Sequence, residues 1–225
     1  EPPVTECVTG LDLVELMIRV ASGEPLPITQ ERVTFSGWAF EARVYAEDPA
    51  RGFLPSVGRL TTYHPPPASA GVRLDSGYGE GSEVPLHYDP LLAKLVAHGP
   101  SRDEAIMTMQ QVLDAFCIRG VGHNTEFLSA IFRHPSFQNG SLSTEFIPTH
   151  FASGYDPRDH TPVNLEHAVV AASAIHHRYR ARAMRIEGQL NGFVAANIGD
   201  WVVMARGHAY PVTIEPVVGG HRVRL

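Results

Sequence analysis

Apolar residues recur at helical spacing over 11–22, where Leu13, Met17 and Val20 fall on one side; Gly23 supplies a stop, and Pro25 and Pro27 keep the helix from continuing. The pattern then changes period. Residues 37–46 alternate, with Trp38, Phe40, Ala42 and Val44 on one face and Ala39, Glu41, Arg43 and Tyr45 on the other. One apolar and one charged face is the pattern of a strand that packs on a core and lines something polar. Shorter strand signals follow at 58–63, 71–75 and 91–98, separated by Pro65-Pro66-Pro67 and by the glycines of 77–81. Ser101 and Glu104 form a capping box that opens a helix, with Ile106, Met109, Leu113 and Phe116 as its apolar stripe and Gly120 as its stop. A second helix is expected from Asn124, a good cap, to about Phe132. Together these elements predict an α+β architecture, an antiparallel sheet packed by helices.

The stretch 152–163 is rich in turn formers and has no periodicity, which predicts a domain of 1–152, a linker of 153–163 and a second domain of 164–225. That second domain opens with a helix over 165–182, Ala-rich in its middle, with Arg178, Arg180 and Arg182 near its negative end. Strand runs follow at Trp201–Ala205, Ala209–Ile214 and His221–Leu225, with tight turns at Gly207-His208 and Gly219-Gly220. No internal repeat is visible. The chain opens at Glu1 without Met and stops inside an alternating run, so both ends are read as cuts in a longer polypeptide.

With 225 residues, 44% hydrophobic and 19% charged, the chain has enough apolar material for a real core. No apolar run reaches the eighteen or so residues of a membrane span, and no signal-like segment opens the chain. A net charge of -6 argues against nucleic acid as a partner. The two cysteines, Cys7 and Cys117, lie in apolar patterns and read as buried thiols of a reducing compartment.

At Glu1-Pro2-Pro3-Val4-Thr5-Glu6 and Thr9-Gly10-Leu11-Asp12-Leu13-Val14 the chain resembles the end of the ATP-grasp module of biotin carboxylases. The likeness continues through Phe40–Pro49, Phe53-Leu54-Pro55-Ser56, Tyr88-Asp89-Pro90, Lys94-Leu95, Ile118-Arg119-Gly120-Val121 and Asn124, in the family's order over about 150 residues. The remainder is similar to the region after the carboxylase domain in biotin-dependent acyl-CoA carboxylase alpha subunits of the propionyl-CoA type. A helix there leads through Arg185-Ile186-Glu187-Gly188-Gln189-Leu190 into a β-barrel, expected here as a partial one. Gly199-Asp200-Trp201-Val202-Val203 carries that second likeness. The wording of Phe40–Val44 and of His87-Tyr88-Asp89-Pro90 also resembles methylcrotonyl-CoA carboxylase, and acetyl-CoA is a further alternative acyl group.

The resemblance implies an ATP-dependent ligase that joins bicarbonate to biotin for transfer to an acyl-CoA. Its cofactors are biotin, ATP and Mg2+. Its partners are a carboxyltransferase beta subunit, onto which the second domain docks, and the biotin carrier domain of the same subunit. A docking module without catalytic work of its own is the alternative. Cytoplasm, or the mitochondrial matrix in a eukaryote, is the expected setting. A general base beside bicarbonate and a cation at the developing ureido oxyanion are needed, and the resemblance assigns Glu1 to the first and Arg43 to the second and to bicarbonate. Pro2 stands where the family has His. Glu41, on the same strand face, is expected to orient Arg43, and Asp89 to act at one remove. The residues for ATP, metal and biotin attachment are expected to lie outside this chain, leaving it inactive by itself. Gly77-Tyr78-Gly79-Glu80-Gly81 imitates a phosphate loop, but no helix follows, so it reads as a hairpin turn. Twelve histidines suggest a metal, yet His176 and His177 are adjacent on a helix and face different ways, so no metal site is expected. Trp201 is expected in the second domain's core.

Overall fold

The computed structural model describes residues 2–67, 69–157, 165–184 and 199–225. They fall into two compact units, Glu1–Pro157 and Arg158–Leu225. The first unit opens with α1 (Pro2–Thr9), whose two leading prolines occupy positions where helix N–H groups have no intrahelical partner anyway. Helix α2 (Leu13–Ala21) follows, capped by Asp12, whose Oδ1 accepts from the Glu15 N–H at 2.8 Å. None of its residues is buried. Among the described residues nine strands come next in chain order, interrupted by one α-helix and a 3-10 turn at Pro49–Arg51. They are β1 (Trp38–Tyr45), β2 (Glu47–Asp48), β3 (Leu54–Pro55), β4 (Gly58–Arg59), β5 (Thr62–His64), β6 (Val72–Ser76), β7 (Glu83–Val84) and β8 (Leu91–Gly99), then α3 (Arg102–Ala115) and β9 (Cys117–Arg119). The unit ends with α4 (Thr125–Arg133), α5 (Pro135–Gln138) and α6 (Phe146–His150).

The main sheet is antiparallel with order β1-β8-β6, and smaller ladders join β2 to β3, β4 to β7 and β5 to β9. Its apolar face is the one the alternation in β1 predicts. Ala42, Leu95 and Ala97 pack there against Ile106, Met109, Val112 and Leu113 of α3 and Phe132 of α4. A second cluster beside it gathers Val44, Leu60, Tyr63, Leu92, Phe116 and Ile118. Fully buried aliphatic side chains of this size each contribute roughly 1.5–3 kcal/mol relative to exposure.

Several local expectations shift. Helix α3 ends at Ala115 rather than running to Gly120, because Phe116 turns into the core edge-on to Tyr63 and the chain extends as β9. Gly120 instead closes that strand at φ 104, where a Cβ would lie 2.1 Å from the Arg59 carbonyl. Gly77–Gly81 does not close a hairpin either, since the strands flanking it, β6 and β7, pair with β8 and β4. Both cysteines are free and half-buried.

The second unit packs α7 (Leu165–Ala183) on an antiparallel meander of β10 (Asp200–Ala205), β11 (His208–Val217) and β12 (Gly220–Arg224). Val169, Val212 and Ile214 are buried between them, with Trp201, Val203 and Tyr210 packed around. His176 and His177 do face apart, one edge-on to Trp201 and the other to His221. The first hairpin turns at Arg206 (φ 49) and Gly207 (φ 79), one residue earlier than expected, as a two-residue turn with both residues left-handed requires. Among the described residues this sheet is open, not a closed barrel. Arg185–Leu190 and most of the expected linker lie outside the described residues.

Candidate functional site

The charged face of the main sheet is ordered by strand register. Arg43 lies opposite Lys94, which lies opposite Asp75; one pair along, Glu41 lies opposite Val96, which lies opposite Arg73. Arg43 is 42% exposed and its Nε donates to Glu41 Oε1 at 3.1 Å, whereas the Glu41 side chain is only 7% exposed. Glu41 Oε2 is enclosed without a hydrogen-bond partner among the described residues. A buried carboxylate therefore grips one edge of a guanidinium whose body still reaches solvent, a charge-assisted arrangement that limits where the cation can point.

Helix α1 packs against β1 and β8. Its Glu6 accepts from Arg73 Nη1 at 2.5 Å through Oε2 and from the Leu13 N–H at 2.9 Å through Oε1, tying β6 to the start of α2. Arg73 also donates from Nε to Asp75 at 3.0 Å, and the two carboxylates push its pKa above the usual guanidinium range. Beside this ion pair lies an open cavity of about 290 Å³ lined by Glu6, Cys7, Gly10, Leu11, Asp12 and Arg73. Burial pushes the Cys7 thiol up, which disfavours the thiolate. Glu1, the residue before α1, lies outside the described residues.

Asp89 lies two residues before β8. Its Oδ1 accepts from the Leu91 N–H at 3.0 Å, capping the start of β8. Partial burial, and then the charge of Asp89, raise the pKa of Glu47. No group of three or more His, Cys, Asp or Glu side chains able to hold a metal exists among the described residues. No described helix is long and apolar enough to cross a membrane. The periodic signals disclosed neither the Glu6–Arg73–Asp75 link nor the part played by Asn124. Its side chain does not cap α4 but reaches the backbone of β1, donating to the Arg43 carbonyl at 3.1 Å and accepting from the Tyr45 N–H at 2.9 Å.

Three family models match the chain in order: the ATP-binding domain of the carbamoyl-phosphate synthase L chain at residues 1–29, the biotin carboxylase C-terminal domain at 41–149, and the propionyl-coenzyme A carboxylase BT domain at 169–225. The propionyl-CoA carboxylase alpha chain of Ruegeria pomeroyi is 43% identical over 95% of this chain and 34% of its own length. The rice methylcrotonoyl-CoA carboxylase subunit alpha is 48% identical over 65% of this chain and 20% of its own. The chain thus spans about a third of the first relative's length. Among solved structures, the biotin carboxylase domain of Hydrogenobacter thermophilus 2-oxoglutarate carboxylase, in complex with MgADP, ADP and bicarbonate, superposes with a TM-score of 0.65. It is 37% identical, over 67% of this chain and 33% of that one. A biotin carboxylase lobe followed by a propionyl-CoA carboxylase-type BT region places this chain in the family of biotin-dependent acyl-CoA carboxylase alpha subunits.

Proposed function

We propose that the first unit supplies part of the site at which an ATP-dependent ligase carboxylates biotin with bicarbonate, for transfer to propionyl-CoA. Arg43 is the cation that binds bicarbonate and stabilises the ureido oxyanion, and Glu1 is the general base. The observation that carries this reading is the half-exposed Arg43 guanidinium held by the buried carboxylate of Glu41. Such a fork fits a planar carbonate or a ureido oxygen, and fixing it in advance avoids reorganisation when charge develops. ATP with Mg2+ would supply the phosphoryl group that activates bicarbonate, and no residue of this chain is assigned to it. Propionyl-CoA is favoured over methylcrotonyl-CoA and acetyl-CoA because the likeness to the propionyl-CoA enzyme runs on through residues 169–225.

The test is Arg43→Ala in the complete subunit, with free biotin as acceptor. Biotin-dependent ATP cleavage should fall at least about 100-fold, the usual cost of removing an oxyanion donor. Arg43→Lys should recover only a part, since an ammonium lacks the planar fork. Wild-type turnover in Arg43→Ala would remove the assignment.

A second role has its own support. The outer face of β10 presents Val202 and Met204 at 65% and 66% exposure, within the region matched by the BT model. This apolar strip suits docking onto a carboxyltransferase subunit, and the biotin carrier domain is the other proposed partner.

A further inference from the structure

Asparagine just before a helix ordinarily turns its side chain back to cap the helix. Asn124 holds that position before α4 and makes no such bond. Three of its polar groups serve β1 instead. The backbone N–H donates to the Tyr45 carbonyl at 3.2 Å, Oδ1 accepts from the Tyr45 N–H at 2.9 Å, and Nδ2 donates to the Arg43 carbonyl at 3.1 Å. Residue 124 is 6% exposed, so these bonds form away from water, where each is stronger and a missing one costs more.

The location matters as much as the bonds. β1 stands at the edge of the main sheet, with β8 as its strand neighbour. Its ladder to β8 loses register between Val44 and Tyr45, one residue beyond Arg43. Without another partner the peptide groups around Arg43 would be held on one side only, at a place where that side is irregular. Asn124 acts as a one-residue substitute strand at this edge. Its neighbours hold it in turn: His123 hydrogen-bonds to the Ile118 carbonyl and to Thr125, and the Leu128 N–H donates to the Asn124 carbonyl at 2.9 Å.

We infer that Asn124 is a positioning residue for the carboxylation site, fixing the backbone from which the Arg43 guanidinium projects. It touches no reacting atom; it acts through Arg43. The inference rests on the function proposed for Arg43, and a misplacement of about 1 Å in such a group can cost about 100-fold in rate.

The experiment uses the complete subunit with free biotin and compares Asn124→Ala, Asn124→Asp, Arg43→Lys and the pair Asn124→Ala/Arg43→Lys. Asn124→Asp keeps the acceptor for Tyr45 and loses the donor to Arg43, and it decides the matter if Asn124→Ala does not fold; its own pairing with Arg43→Lys then replaces the Ala pair. Each Asn124 variant should lower kcat/KM for biotin about 10- to 100-fold while the KM for ATP stays within about twofold. In the Arg43→Lys background the further loss should be under about threefold, because the placed fork is already gone. Losses that multiply in the double variant, or equal losses in the biotin and ATP parameters, would overturn the inference and leave a structural role. Wild-type kinetics in both Asn124 variants beside a crippled Arg43→Lys would also overturn it, while sparing Arg43. Full activity in Arg43→Lys and in Arg43→Ala would instead bring down the carboxylation reading itself.

Discussion

Each unit packs a helix on one face of a three-stranded antiparallel sheet, α3 on β1-β8-β6 and α7 on β10-β11-β12. They part company on the other face. In the first unit it carries Glu41, Arg43, Lys94, Arg73 and Asp75 in register, with Glu6 of α1 bonded into the row. In the second it shows Val202 and Met204 to solvent. Charges on a partly covered face cost desolvation and need partners, which the Glu41–Arg43 and Glu6–Arg73–Asp75 pairs supply. An uncovered apolar strip needs only a matching surface, and single side chains there contribute little to folding. The same architecture therefore presents a row of paired charges in one unit and an exposed apolar strip in the other.

The sharpest contrast lies in two glycines with positive φ. At Gly120 a Cβ would meet the Arg59 carbonyl and the Thr61 nitrogen, both backbone atoms that cannot step aside. At Gly207 nothing stands within 4 Å. Gly120→Ala should cost about 3 kcal/mol or more, strain and overpacking together, and Gly207→Ala about 1 kcal/mol from the backbone alone. Urea unfolding of the two variants measures both. Equal costs would mean that the first unit yields as easily as the second.

A second test uses pH. Burial lowers the pKa of His123, next to Asn124 in the first unit. The neutral ring suits its neighbours, with Nδ1 accepting from Thr125 Oγ1 at 2.8 Å and Nε2 donating to the Ile118 carbonyl at 3.2 Å. With the folded pKa below the unfolded value of about 6.5, the associated stability is present above that pH. It is lost as the pH falls toward the lowered folded value. His134 is lowered too, by burial and then by His150, and works in the same direction. The unfolding midpoint should drop between pH 7 and pH 5, and His123→Gln, which can keep both hydrogen bonds without charging, should flatten part of that slope. An unchanged slope in the variant would sink the assignment to His123.

What the sequence disclosed follows the range of the interactions. The alternation of β1 separates Ala42 and Val44 from Glu41 and Arg43, and the Ser101 cap is made, with its Oγ accepting from the Glu104 N–H at 3.3 Å. Both depend on neighbours in the chain. Helix α1 lacks a periodic apolar signal of its own, and its two prolines sit in the first helical turn, which accepts them. Asn124 was legible as a cap, and its true partners are 79 and 81 residues away, where no local pattern points. The Glu6–Arg73 pair spans 67 residues and was hidden for the same reason. Of the two residues assigned to chemistry, Arg43 can be placed on its strand face, and Glu1 lies outside the described residues.

The smallest effect on stability should come from the face where the second unit differs most. Val202 and Met204 point away from α7 and lie outside the buried cluster of Val169, Val212 and Ile214. Replacing Val202 by Thr keeps its β-branched shape, and Met204→Lys adds a charge to an already exposed position. The double variant should therefore unfold within about 0.5 kcal/mol of the parent. Its affinity for a carboxyltransferase subunit, read from a binding isotherm, should fall at least about tenfold, since a lysine placed in a dry apolar contact must be desolvated. Unchanged affinity would show that the strip is ordinary surface. A loss of stability well above that figure would show instead that β10 is covered on both faces like β1, and the contrast between the two sheets would dissolve.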